Sequence, residues 1–205
     1  MVNKIVLPVG LYQANCVIVW NDPQQAWLFD PGQALDDILA VLKKENLKLG
    51  VIILTHAHFD HISAVNGLLA HHPAPVYLHA ADVPIAFSPM NQMPPYSSTK
   101  RPASLDITKN DGDTLTCGGL TGTFIHTAGH TPGSWCILFK SENLMVTGDT
   151  LFAGSIGRTD FPGGSMEKME ASLQKLKQLP DATRILCGHG AESTLGEEKR
   201  TNPYL

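Results

Sequence analysis

The chain has 205 residues, 43% of them hydrophobic and 17% charged, which is enough apolar content to bury one sizeable core and predicts a single domain over 1–205. Its formal net charge of −4 and the lack of any Lys/Arg run argue against a phosphate-binding surface, so no nucleic-acid partner is expected. The apolar stretch at the start, Ile5-Val6-Leu7, is too short for a signal peptide and no run approaches membrane-spanning length, so the expectation is a cytoplasmic protein with no membrane partner.

Strands are predicted at Ile5–Leu7, Cys16–Trp20, Ala26–Phe29 and Val51–Leu54, with Asn21-Asp22-Pro23 as the turn between the second and third. Leu35, Ile38, Leu39 and Leu42 follow the i, i+3, i+4, i+7 spacing of an amphipathic helix, and Ile62, Val65, Leu68 and Leu69 give a second such face. From 88 to 113 the pattern breaks into a proline-rich stretch. Strands resume near Thr114–Thr116, Thr121–His126, Trp135–Phe139 and Leu144–Val146, followed by a helix with the face Met166, Met169, Leu173 and Leu176 and a last strand at Arg184–Cys187. Strands and helices in both halves predict an α/β domain of two sheets packed face to face with helices outside.

The most informative segment is Thr55-His56-Ala57-His58-Phe59-Asp60-His61, directly after the strand at Val51–Leu54. Side chains alternate in an extended segment, so His56 and His58 point the same way and can share one ion. Asp60 and His61 follow where the strand has ended, and a turn can swing them towards a second ion. Further ligands stand beside glycine at Gly129-His130, Gly148-Asp149 and Gly188-His189, the last two after apolar strands. Ligands collect in loops at the carboxyl ends of buried strands. His71, His72, His79 and His126 fit no such pattern. Cys16, Cys117, Cys136 and Cys187 show no CxxC pairing and are expected to be reduced and mostly buried, without a ligand role.

In order and spacing, THAHFDH, HTAGHTPGS, TGDTLF and GHG resemble the metallo-β-lactamase superfamily. Within it, GDTLFAGSIGRTDFPGGS and GHGAESTLGEEKRTNPYL are similar to the short hydrolases related to glyoxalase II, the hydroxyacylglutathione hydrolases. The resemblance covers nearly the whole chain. It implies a four-layer αββα sandwich with two divalent metal ions per chain. His56, His58 and His130 would hold one ion, Asp60, His61 and His189 the other, and Asp149 would bridge them. Asp30, in Leu28-Phe29-Asp30-Pro31-Gly32, matches an early aspartate of the family that accepts a hydrogen bond from a ligand. Zinc is the expected ion; the imidazole and carboxylate donors also accept iron or manganese.

Two cations sharing a water give hydroxide near neutral pH and polarise a carbonyl, so no Ser or Cys nucleophile is needed. A thioester suits such a site, because a thiolate of pKa roughly 8 to 9 leaves without a general acid. The expected activity is therefore hydrolysis of a small-molecule thioester of the S-lactoylglutathione type, by attack of a metal-bound hydroxide, to a 2-hydroxy acid and glutathione. Alternatives are a persulfide dioxygenase with one iron, and lactone or phosphodiester hydrolysis on the same ions. A non-catalytic binding module would normally have lost a ligand.

The resemblance departs on the substrate side. Longer relatives carry a helical carboxy-terminal extension that holds glutathione, and this sequence ends at Leu205, soon after His189, so weak or broad thioesterase activity is expected. Where those relatives have a lysine and a tyrosine, this chain has Gly157-Arg158-Thr159-Asp160-Phe161. Arg158 either binds a glutathione carboxylate or pairs with Asp160. The stretch 88–113 is either a lid or a solvated connector. As a lid it would place Met93 and Tyr96 on substrate and Lys100 or Arg101 on a carboxylate.

Overall fold

The computed structural model describes residues 2–96 and 99–205. One six-stranded sheet takes its strands in chain order: β1 (Asn3–Val9), β2 (Ala14–Trp20), β3 (Ala26–Phe29), β4 (Leu49–Ile53), β5 (Val76–Tyr77) and β6 (Leu105–Asp106). The first three are antiparallel and β3 to β6 run parallel. Between them lie α1 (Leu35–Lys44), α2 (Phe59–Ile62), α3 (Val65–His71) and α4 (Val83–Ala86).

The other sheet is built from β7 (Thr114–Cys117), β8 (Leu120–His126), β9 (Trp135–Phe139) and β10 (Leu144–Gly148), an antiparallel series. A small ribbon of β11 (Leu151–Phe152) and β12 (Ser155–Ile156) and the helix α5 (Met166–Lys177) come next. Then β13 (Arg184–Cys187) pairs parallel with β10, and β14 (Ser193–Thr194) closes that edge before α6 (Leu195–Thr201). The order across this sheet is β14-β13-β10-β9-β8-β7.

The two-residue period of the strands explains the layers. Val17, Val19, Trp27, Phe29, Val51 and Ile53 meet Phe124, Trp135, Ile137, Phe139, Val146 and Leu186 between the sheets. Their alternating neighbours face outward: Ile18, Leu28 and Ile52 pack under Ile38, Leu42, Val65 and Leu68 of α1 and α3. On the far side Leu138, Met145 and Ile185 pack under Met169, Leu173 and Leu176 of α5. Apolar residues on both faces of the central strands therefore demand four layers, α, β, β, α. Ser165 starts α5 by accepting from the Lys168 N–H at 3.3 Å, with Glu167 in the first turn and Lys175 and Lys177 in the last.

Some elements differ from the pattern read along the sequence. The helical face Ile62–Leu69 is two helices, α2 and α3, because the chain breaks at Ser63 and Ala64, where the Ala64 N–H leaves the helical ladder for the Pro31 carbonyl at 2.9 Å. The strand expected at Val51–Leu54 is shifted, running from Leu49 to Ile53. β5, β6, β11, β12 and β14 are two residues long and carry no readable period. Within the stretch 88–113, of which 97 and 98 lie outside the described residues, Asn91 is fastened to the fold. Asn91 is buried and its side-chain amide donates to the carbonyls of Ala57 at 2.7 Å and Ala86 at 3.1 Å. No helix among the described residues is long and apolar enough to cross a membrane.

Candidate metal centre

The carboxyl ends of β4, β10 and β13 lie together at one edge of the sandwich, and the predicted ligand residues occupy the loops that leave them. Thr55 and His56 follow β4 in a bend. His58 then caps α2, and that short helix turns Asp60 and His61 back over the strand ends. His130 comes from the loop between β8 and β9, Asp149 from the residue after β10, and His189 from the turn after β13. Close approach explains two of the flanking glycines. Gly148 has φ +48°, and a Cβ there would strike Thr55; a Cβ on Gly188 would strike the Asp149 carboxylate.

Two compact triads result, His56–His58–His130 and Asp60–His61–His189, each with its donor atoms within 4.8 Å of one another. In the first, His58 Nδ1 and His130 Nε2 lie 2.8 Å apart. In the second, His61 Nε2 and His189 Nε2 lie 3.2 Å apart, with Asp60 Oδ2 at 3.5 Å from His189. Asp149 stands between them: one carboxylate oxygen is 3.5 Å from His130 Nε2 and 3.6 Å from His189 Nε2, the other 3.6 Å from His61 Nε2.

Three of the ring nitrogens that face away from the cluster are tied down. His61 Nδ1 lies 3.1 Å from Asp30 Oδ2, His130 Nδ1 2.7 Å from the Arg158 carbonyl, and His189 Nδ1 3.1 Å from the Tyr12 carbonyl. These three acceptors take the Nδ1 proton and turn Nε2 towards the cluster, the usual arrangement around an imidazole ligand. Asp30 is itself held, accepting from the Thr55 N–H at 2.7 Å and the Thr55 hydroxyl at 2.6 Å. Its placement matches the role expected of an early aspartate that orients a ligand.

The donor set fits metal ions on two independent grounds. His56 Nε2 and Asp149 Oδ1 are buried with no hydrogen-bond partner among the described residues, and both belong to this cluster. A buried orphan atom costs about 1–3 kcal/mol, so two in one site call for a partner that neither water-exposed chain nor neighbouring side chain supplies. In the first triad the charge states agree. Burial and the neighbouring histidines push His56 well below the ordinary imidazole range, burial and His130 push His58 down to about 4, and burial lowers His130. Burial would lower His61 as well, but the carboxylates of Asp149, Asp30 and Asp60 raise it to about 10. Burial likewise opposes, and Asp60 and Asp149 reverse, the shift of His189, which is upward.

A cavity of about 600 Å³ opens onto both triads, walled by Tyr12, Phe59, Met93, Phe152, Arg158 and Phe161. Met93 therefore borders the site, as a lid residue would. Tyr96, expected on substrate, does not line it. It is 3% exposed and packs behind the cavity wall, with its ring 5.7 Å from Tyr12 and 5.1 Å from Phe59. Lys100 and Arg101 border a separate surface depression beside Leu69 and Pro102, not the metal cavity. The Arg158 guanidinium makes two 2.7 Å bonds to Asp160 and lies 3.7 Å over the Phe161 ring, so the structural pairing foreseen for it is present at the cavity mouth. Cys187 sits inside β13, and burial pushes its thiol up to about 12.

Several supporting residues carry no sequence motif. The Tyr12 carbonyl braces His189, and Asn15 on β2 donates to the carbonyls of Cys187 at 2.9 Å and Gly190 at 3.0 Å, which fastens the His189 turn to the opposite sheet. Buried Asp82 accepts from the Thr131 hydroxyl at 2.7 Å and the Gly133 N–H at 2.6 Å, fixing the loop that carries His130. All three act through contacts with loops distant in sequence, which spacing does not encode.

Comparison with known proteins agrees with this geometry. The family model described as the Metallo-beta-lactamase superfamily matches residues 9–189. The chain is 33% identical over 210 residues to the hydroxyacylglutathione hydrolase GloC of Haemophilus influenzae, covering 99% of this chain and 98% of that protein. Among solved structures it is similar to the BLEG-1 B3 metallo-beta-lactamase, at 37% identity and TM-score 0.92 over 99% of each chain. It is also similar to TTHA1623, solved in a di-iron-bound form, at 35% identity and TM-score 0.87 over 98% of this chain and 100% of that one.

Proposed function

This chain belongs to the metallo-β-lactamase superfamily, and on that premise we propose that it is a binuclear metallohydrolase acting on thioesters of the S-lactoylglutathione type. The observation that carries the reading is the pair of triads with Asp149 between them. His56, His58 and His130 would hold one ion, Asp60, His61 and His189 the other, with Asp149 facing both. Two divalent ions held there supply a nucleophile from water at neutral pH and polarise the substrate carbonyl. Zinc is the proposed ion, and iron is supported by the di-iron form of TTHA1623.

The chain's own residues do the rest. Asp30, Arg158 and Tyr12 hold the imidazoles in one orientation, so the site is organised before substrate arrives. Tyr12, Phe59, Phe152 and Phe161 wall the cavity and keep bulk water from the reacting carbonyl. Arg158 stands at the mouth, where it can exchange Asp160 for a glutathione carboxylate. A thiolate leaves without a general acid, so the cavity walls need supply none.

Two other readings compete. The similarity to BLEG-1 supports hydrolysis of a β-lactam on the same residues. A persulfide dioxygenase needs one iron on two histidines and an aspartate, and it leaves the second, fully braced triad without a use. The test is a substrate comparison on metal-loaded protein: loss of thioester absorbance from S-lactoylglutathione, β-lactam ring opening, and oxygen uptake on glutathione persulfide. Metal-dependent thioester cleavage as the fastest of the three supports the proposal. Oxygen uptake without thioester cleavage, or faster β-lactam opening, would overturn it.

A further inference from the structure

Large apolar side chains that a protein leaves in water are most informative where they cluster. Among the described residues, seven are strongly exposed, and Tyr12, Met90, Met93 and Phe161 all border the metal cavity or the groove that continues from it. Met90 is 90% exposed. The groove has a volume of about 360 Å³ and shares His58, Phe59, Met93 and Phe161 with the metal cavity, so it begins at a ligand of the first triad. Beyond that end its walls are Pro84, Ile85, Met90 and Pro162.

No charged side chain lines this groove. Its polar neighbours are Ser88, Gln92 and Asn91, and the Asn91 amide is committed to the Ala57 and Ala86 carbonyls, which fixes the loop that forms the groove. Ile85 of the opposite wall packs on the core under α1 and α3, so that wall is anchored as well. A lactoyl group is small and carries a hydroxyl; it neither fills such a groove nor gains from it. An occupant that reaches the metal ligands at one end and lies along proline, isoleucine and methionine at the other is a carbonyl compound with an apolar tail.

We infer that the groove running from His58 along Phe59, Ile85 and Met90 binds the apolar acyl chain of the substrate, so that the preferred thioesters carry a medium-length alkyl or aryl acyl group in place of lactoyl. This rests on the thioesterase reading for the bond cleaved, while the groove itself is argued from its walls alone. The cleavage is ordinary hydrolysis: water adds across the thioester, the C–S bond breaks, and the acyl carboxylate and the thiol are released. Burying each further methylene should gain about threefold in affinity until the groove is full.

The test uses metal-loaded protein and two series of matched chain length. Straight-chain carboxylates from acetate to octanoate, the products of such thioesters, are titrated by calorimetry, and the corresponding acyl thioesters of glutathione are assayed for kcat/KM. The expected result is a rise of about threefold per methylene in both series, flattened in Met90→Asp, a surface change that leaves the core intact. Ile85→Ser gives a second, independent loss from the half-buried wall opposite. Length-dependent carboxylate binding without thioester turnover would keep the groove and discard the thioesterase reading. Flat dependence on chain length in both series, or a dependence unchanged in Met90→Asp, would overturn the groove.

Discussion

The two ligand triads meet a cation in opposite electrical states. His56, His58 and His130 are three imidazoles that burial and mutual repulsion keep unprotonated in the metal-free protein, His58 down to about 4. In the other triad the carboxylates of Asp149, Asp30 and Asp60 outweigh burial and draw protons onto His61, at about 10, and onto His189. The first set therefore waits with free lone pairs. The second holds a proton on His61 where a metal ion would stand, and must release it to bind one.

The largest expected effect comes from the residue that belongs to both sides. Asp149→Ala should cost both ions and lower kcat by about three orders of magnitude or more, read by metal analysis and thioester assay. A variant that retains two ions at full rate would abolish the bridge. Next is Asp30→Asn, which disturbs the brace on His61 and leaves the Arg158 carbonyl on His130 in place. It should weaken the ion on the Asp60 side by about 10- to 100-fold, and the other less, in competition with a chelator. Equal weakening at both would mean that Asp30 serves the whole site through Thr55.

Acidity gives a third way to separate the triads. In the metal-free protein His61 has a folded pKa above its ordinary 6.5, so its stabilising contribution is full below about 6.5 and fades as pH rises towards about 10. Metal binding runs the other way, strengthening as the protons leave. The gain in Tm on loading should therefore grow between about pH 6 and pH 9, with about one to two protons released per chain at pH 7 by calorimetry in paired buffers. A constant Tm gain and no proton release would contradict the contrast drawn above. The smallest effect belongs to Arg158→Ala. If Arg158 holds a glutathione carboxylate, KM should rise about three- to tenfold with kcat little changed; an unchanged KM leaves the arginine to Asp160 and Phe161.

The same contrast explains what was legible in the sequence. The first sheet gives four donors from one contiguous run, so THAHFDH announces itself, whereas His130, Asp149 and His189 stand alone and were traceable only through their glycines and the apolar strands before two of them. Strands with apolar residues on both faces, and the Met166–Leu176 face of α5, were readable because burial imposes a period. The unreadable parts lack any. Two-residue strands such as β5 and β6 are too short for a pattern, and Tyr12 and Arg158 brace histidines through their carbonyls, which every residue possesses. Tyr96 looked like a substrate contact because it lies in a proline-rich loop near the site; its ring instead turns inward behind Tyr12 and Phe59. Asp82 stands in no motif, and its value to the His130 loop depends on Thr131 and Gly133, far from it in sequence.

The most direct test of the binuclear account is a metal titration of the chelated protein, following bound ions per chain and S-lactoylglutathione turnover together. The account predicts two ions per chain, with turnover rising mainly as the second is bound. Saturation at one ion with full turnover would contradict it, because the Asp60–His61–His189 triad would then have no part in the reaction.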